Sequence, residues 1–316
     1  MRDFIAQAFK AEHDAWRYIV GAVLIFVIWQ FGSIPFLGAV SWQLYQDGKD
    51  VASAGDFSVM MNTLSKNLTF FLMLLSFVFG FLGVWFVVKV IHQQKFIEVI
   101  TSRKRFDWKR FFVGFSLIGV FIIGVTIVDY FYNPEDYTLN FNLVPFLILA
   151  TIGIILVPIQ TSFEEIYFRG YLMQGLGVIF KNRAVPFILT SVGFGMLHFF
   201  NPEVDKIGNI IMLSYIGTGF LLAIFALMDE GLELSMGFHA ANNLVTALLV
   251  TADWTAFQTE SIFISLAEPS ANFEVLFPVL IIYPIYIIVL AKIYKWKDWN
   301  KKLFGKVNQP VEIGNI

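Results

Sequence analysis

From Leu143 to Gln160 the chain reads LVPFLILATIGIILVPIQ, without one charged side chain, and runs of this kind recur along its length. A helix needs roughly 20 mainly apolar residues to cross the hydrocarbon core of a bilayer. Inside lipid every backbone N–H and C=O must be satisfied within the protein, which restricts spanning segments to helices and closed barrels. Eight spans are read, at about 17–39, 68–91, 111–131, 143–160, 184–200, 207–228, 234–251 and 275–294. The expected fold class is all-α, a polytopic membrane helical bundle of about eight transmembrane helices. Composition agrees: 57% of the residues are hydrophobic and 15% are charged, against about a quarter charged in soluble domains. The first span follows the charged leader MRDFIAQAFKAEHDAWR. It is longer than a signal-peptide core and lacks a clear small-residue cleavage site, so it is expected to be retained. With no cysteine in the chain, a disulfide framework and a thiolate metal site are both excluded.

Charge is unevenly distributed. Between spans two and three lie Lys89, Lys95, Arg103, Lys104, Arg105, Lys109 and Arg110, and the C-terminal tail carries Lys292, Lys295, Lys297, Lys301, Lys302 and Lys306. The segments NPEDYTLNFN and TADWTAFQTESIFISLAEPSANF hold no lysine or arginine. Basic loops stay cytoplasmic, and eight spans then place both termini on that side. TSRKRFDWKRFF interleaves cations with aromatics, but beside a span this pattern suits anionic lipid headgroups, and no nucleic-acid partner is expected. There is no internal repeat, low-complexity tract or inter-domain linker. The longest external connection, YQDGKDVASAGDFSVMMNTLSKN, is the expected variable surface.

The informative residues are those that cost energy where they sit. An ionisable side chain at mid-membrane costs about 2.5–3.5 kcal/mol on insertion scales. His13 lies in the leader and His92 at a span end, but His198 and His239 fall within SVGFGMLHFF and LSMGFHAANNLV. His239 and Asn243 are four apart and share a helix face, among small residues, Gly237, Ala240 and Ala241, that let a neighbouring helix come close. Phe194 sits one turn before His198, where its ring would lie against the imidazole. In FEEIYFRG, Phe163 to Gly170, Glu165 and Arg169 are four apart and able to pair, while Glu164 points about 100° away. One acid is neutralised within its own helix and the other is left to face something else. Each of these residues alone could simply join helices by hydrogen bonds or anchor a helix end. A Glu, two His and an Asn on three spans together point instead to a functional site.

These residues resemble a known family. EExxxR at Glu164–Arg169, FxxxH at Phe194–His198 and HxxxN at His239–Asn243 occur in the order of the type II CAAX prenyl endopeptidases, within the wider CPBP (Abi) group of intramembrane proteases. The matching region runs from about 143 to 251. It is expected to be the catalytic core, between an N-terminal transmembrane region (1–142, three helices) and a final helix with a basic tail (252–316). The resemblance implies an intramembrane endopeptidase. Glu164 would be the base that activates a water that His198 helps to hold, and His239 and Asn243 would stabilise the tetrahedral oxyanion. Glu165, Arg169 and Phe194 would be supporting residues. The division is chemically coherent: burial disfavours the charged carboxylate and makes it a stronger base, and losing an oxyanion donor costs about 10²–10³ in rate.

Other intramembrane chemistries fit poorly. There is no HExxH, the nearest approach to GxSG is Gly114-Phe115-Ser116-Leu117, and Asp129, near a span end, is the one aspartate within a read span. No obligatory cofactor is expected. The family is often labelled metalloprotease, and a zinc ion would draw on Glu164, His198 and His239, yet the Glu/His/His/Asn division needs no metal. A transporter or proton relay would also place Glu and His in mid-membrane, though without a two-fold repeat or paired broken helices; a non-catalytic scaffold or immunity protein would keep the fold without the residues. The expected partner is a membrane-associated peptide or protein, including a lipidated tail, and the short loops suggest a prokaryotic plasma membrane. One difficulty is depth. Glu164 and His239 fall near the cytoplasmic ends of their spans, whereas His198 lies about 14 residues, about 21 Å, into span five; the groups meet if that span begins below the interface or bends near Gly193 and Gly195.

Overall fold

The computed structural model describes residues 3–269 and 273–309. After a short 3₁₀ segment, Ile5–Lys10, the chain forms α1 (Ala15–Phe31), α2 (Ile34–Gln46), the short α3 (Phe57–Thr63) and α4 (Lys66–Phe86). Then come α5 (Phe96–Ile100), α6 (Trp108–Tyr132), α7 (Leu143–Glu165) and α8 (Met173–Phe180). The second half holds α9 (Ala184–Met196), α10 (Pro202–Ile207), α11 (Ile211–Asp229), α12 (Glu233–Leu249), α13 (Tyr283–Tyr294) and α14 (Trp299–Phe304). Three short strands, β1 (Tyr137–Leu139), β2 (Val250–Thr251) and β3 (Phe263–Ser265), form a small sheet with β3 in the middle, antiparallel to β1 and parallel to β2.

The protein is an integral membrane helical bundle. Among the described residues six helical stretches are long and apolar enough to cross a bilayer: Ala15–Gln46, Lys66–Ile91, Trp108–Tyr132, Leu143–Phe180, Ile211–Asp229 and Glu274–Tyr294. The other two segments read as spans from sequence, 184–200 and 234–251, contain α9 and α12, of 13 and 17 residues. The first half of α12 is enclosed by protein, whereas α9 buries one face and leaves Ile188 and Leu189 exposed on the other. The outward faces of α1, α6 and α7 carry exposed Val23, Phe26, Val120, Val128, Leu147 and Ile154, a surface that lipid covers.

Span four differs most from its sequence reading. The helix does not stop near Gln160 but continues through Glu164, a π-helical turn at Ile166–Leu172, and α8 as far as Phe180. Glu165 and Arg169 neutralise each other within this turn, so the apolar helix resumes beyond them. Glu164 is therefore mid-helix, about 16 residues or 24 Å before Phe180. Since α9 starts just after the turn at Lys181–Arg183, His198 rises to the same depth from the other side of the hairpin. That resolves the mismatch without a bend inside α9.

Close helix crossings set the positions of the site-bearing elements. A Cβ on Gly114 of α6 would stand 2.4 Å from the Leu234 carbonyl oxygen, and Cβ atoms in α12 at 237 would run into the Phe111 carbonyl. Backbones this near demand glycine. α12 is thereby pressed against α6 with His239 aimed the other way, toward α7.

The two ends of the bundle differ. At one end the basic segments meet: Arg103 bonds Asp229 and Glu233 at 2.8 and 3.0 Å, Arg110 pairs with Asp229, Lys302 reaches Glu230 at 2.9 Å, and Arg183 reaches Asp3 at 2.6 Å. At the other end lie the sheet, the 197–210 segment and the loop after β2, tied by Lys206–Glu268 at 2.9 Å and by the Ala256 N–H donating to Glu203 at 2.8 Å.

Candidate active site

The three motifs meet in the middle of the bundle. Glu165 and Arg169, one helical turn apart, form a 2.9 Å ion pair with both side chains fully buried. A second guanidinium N–H donates to the Gly219 carbonyl of α11 at 3.1 Å, and the cation lies 4.1 Å over the Phe194 ring. Arg169 is thus held by three elements, which fixes Glu165 in turn. Glu165 Oε1 lies 3.0 Å from Nδ1 of His239, so Nδ1 carries the proton and the imidazole orientation is set by a carboxylate behind it.

On its other edge, His239 Nε2 stands 3.3 Å from Glu164 Oε2. Glu164 Oε2 is buried and has no hydrogen-bond partner among the described residues. The second Glu164 oxygen accepts from the Gln160 amide at 3.3 Å, and the Gln160 carbonyl accepts from Asn243 Nδ2 at 3.3 Å. A continuous polar chain therefore runs Arg169–Glu165–His239–Glu164–Gln160–Asn243 across α7 and α12.

His198 stands outside this polar chain among the described residues but faces the same cavity. Its Nδ1 lies 3.0 Å from the Phe194 carbonyl oxygen. A carbonyl accepts and does not donate, so Nδ1 is the protonated nitrogen and Nε2 offers a lone pair. The ring is stacked on Tyr215 at 4.5 Å and touches Phe194 at 5.1 Å, while Phe194 also meets His239 edge-on at 5.7 Å. Phe194 is thus the wedge that spaces the two histidines.

A cavity of about 410 Å³ is lined by Gln160, Glu164, His198 and Asn243 at its base. A second, of about 300 Å³, shares Phe194, His198, Tyr215, Asn242 and Asn243 with it and adds His239, Ser214, Thr218 and Tyr283. The two form lobes on either side of the His198–Asn243 pair. As a test of zinc, His198 has one free nitrogen, and both nitrogens of His239 are turned to carboxylates. Among the described residues no three His, Asp or Glu side chains are disposed to hold a metal ion. Glu164, His198 and His239, the set a zinc ion would draw on, form no such group, and no step below uses a metal.

The chain matches the family model of type II CAAX prenyl endopeptidase Rce1-like proteins over residues 142–245. It is also 30% identical over 252 residues to Uncharacterized protein YyaK of Bacillus subtilis (strain 168), a match covering 79% of this chain and 83% of that one. The chain belongs to the Rce1-like family. The segment matched by the Rce1-like model takes in all of Glu164, Glu165, Arg169, Phe194, His198, His239 and Asn243, and the family points to an intramembrane protease kind of function. No solved structure matches the chain.

Sequence reasoning missed several residues of this Rce1-like site. Gln160 bridges Glu164 to Asn243, and its signal was present, since it lies one turn before Glu164 on the same face. Tyr215, which stacks on His198, and the Gly219 carbonyl, which holds Arg169, come from α11. Nothing in their local sequence marks them.

Proposed function

We propose that this chain is an intramembrane endopeptidase in which Glu164 activates water. The observation that carries the reading is the arrangement of Glu164. One oxygen is held by Gln160, the other faces His239, and the carboxylate opens onto a cavity shared with His198 and Asn243. Water held by the lone pair of His198 Nε2 gives a proton to Glu164, and its oxygen bonds to the scissile carbonyl carbon. Asn243 has a second amide hydrogen free of Gln160, and it faces the oxyanion. As Glu164 becomes protonated, its attraction for the His239 Nε2 proton falls, and that N–H turns to the same oxyanion. Collapse breaks the C–N bond, and Glu164 returns the proton to the departing amine. Glu165, with Arg169 behind it, keeps His239 oriented throughout.

Two lobes meeting at His198 and Asn243 suit a peptide that continues on both sides of the bond, hence an endopeptidase. The substrate is proposed to be a membrane-associated peptide or protein, lipidated tails included. Residues 143–251 form the catalytic core, with 1–142 and 252–316 completing the bundle. The basic loops face anionic lipid on the cytoplasmic side of a prokaryotic plasma membrane, with both termini there. The test is Glu164→Gln in reconstituted vesicles, which keeps shape and hydrogen bonding but removes the base; cleavage is expected to vanish while the melt is unchanged. Wild-type protein is expected to keep its activity through prolonged chelation. Near wild-type cleavage by the Gln variant, or chelator inactivation reversed by stoichiometric zinc, sinks this mechanism. A transporter or proton relay, or a scaffold or immunity protein, would show no cleavage in either form.

A further inference from the structure

The site is open toward one end of the bundle and closed toward the other. From Glu164 through Tyr171 every residue is buried, and so is the run from Phe225 to Ala241. These two stretches carry Glu164, Glu165, Arg169 and His239 and form the wall of the site on the side of the basic loops. Beneath them the Glu233–Arg103–Asp229–Arg110 ion pairs and the buried Trp296 close the same end. No residue of the basic loops or the C-terminal tail lines the cavity that holds Glu164.

In the other direction the cavity rises along Thr246 and Ala247 of α12 and Val250 of β2 to a rim of Asn201, Glu203, Thr255 and Ala256. Those rim residues belong to the 197–210 segment and the loop after β2. Both are at the end of the bundle that carries the sheet and lacks basic loops. The neighbouring cavity reaches the same end through Ile211 and Val275. Both lobes of the site thus extend toward the same end of the bundle.

Basic loops mark the cytoplasmic side. We propose that substrate and water reach Glu164 from the extracytoplasmic face, through the mouth between Asn201–Glu203 and Thr255–Ala256. The substrates are then peptide segments presented at the outer membrane surface or just within it. This deepens the peptidase reading and rests on it for the chemistry, but not for the route.

The absence of cysteine makes the test direct. Single cysteines replace Asn201 and Thr255 at the rim, Thr246 on the wall, and exposed Lys104 and Lys297 at the basic end. Each full-length variant is expressed in cells, checked for a wild-type melt, and exposed to a membrane-impermeant thiol reagent before and after permeabilisation. The expected result is labelling of Asn201→Cys, Thr255→Cys and, more slowly, Thr246→Cys in intact cells, with Lys104→Cys and Lys297→Cys labelled after permeabilisation alone. Rim cysteines that react only after permeabilisation overturn the proposal. So does labelling of both ends from the same side, or a rim that reacts only once the protein is denatured. Labelling needs no turnover, so an inactive protein with the expected pattern would refute the peptidase reading and leave the access route standing.

Discussion

Replacing Arg169 by Met separates the supporting ion pair from the catalytic groups. Met is unbranched and fills much of the space beneath the Phe194 ring, but it removes the partner of a carboxylate with no exposure at all. The Gly219 carbonyl also loses its 3.1 Å donor. Breaking a buried pair from one side costs about 3–5 kcal/mol, a large share of the roughly 5–15 kcal/mol that holds a typical fold together. Glu165 keeps its hydrogen bond with His239 Nδ1 at 3.0 Å. Removing both charges, with Glu165→Gln and Arg169→Met, leaves a neutral amide that still accepts from His239 Nδ1. The double variant is expected to recover most of the stability, giving a coupling toward the upper end of the roughly 0.5–3 kcal/mol seen for interacting neighbours. Denaturant titration in mixed micelles measures all four corners of this cycle. Turnover per folded molecule of Arg169→Met is expected to fall less than the yield of folded protein. A single variant that loses less than about 1 kcal/mol, or a double variant no more stable than the single one, would refute the view that these charges are a buried matched pair.

Other outcomes follow from particular contacts. Gln160→Leu breaks the link between Glu164 and Asn243; kcat is expected to fall by about 10²-fold, as for a small misplacement of reacting groups, with the melt little changed, and steady-state kinetics in detergent check it. Gly237→Ala puts a methyl group against the Phe111 carbonyl and should cost about 1–3 kcal/mol by overpacking α6 on α12, read from the same titration. His92 lies outside the spans, and burial pushes its imidazole below its ordinary value. Its Nδ1 meets the Glu12 carbonyl at 2.7 Å, and Nε2 accepts from the Tyr171 hydroxyl at 2.9 Å. The folded protein therefore holds it neutral while the unfolded chain takes up a proton below about pH 6.5. Stability contributed by this site is complete above that pH and is lost as pH falls through it. Melts at pH 7.5 and about 5.5 should differ for wild type, and His92→Gln should shrink the difference.

Much of the site was legible because its first relations are local. Glu165 and Arg169, Phe194 and His198, and His239 and Asn243 are each four apart, and helical geometry alone puts each pair on one face. The same geometry turned Glu164 away from Arg169, and the structure shows it facing His239. The membrane class was equally a property of the chain, since uncharged runs of this length leave the backbone no alternative to helix. Depth was a different matter. The sequence marks where polar residues begin, and Glu164–Arg169 looked like the end of a span. In the fold the Glu165–Arg169 pair cancels its own charge, and the helix runs on to Phe180. That continuation brings Glu164 level with His198.

What crosses between helices was decided by tertiary structure alone. Glu165 touches His239 where α7 packs on α12, which is itself held against α6 at Gly114 and Gly237, and a crossing of two helices has no signature in the spacing of either one. Tyr215 and the Gly219 carbonyl enter the site from α11 for the same reason. The opening of the cavity away from the basic end depends on which buried layer fills beneath Glu164. Local periodicity sets which residues share a face, but the packing of separate helices sets which faces meet and which side of the site stays open.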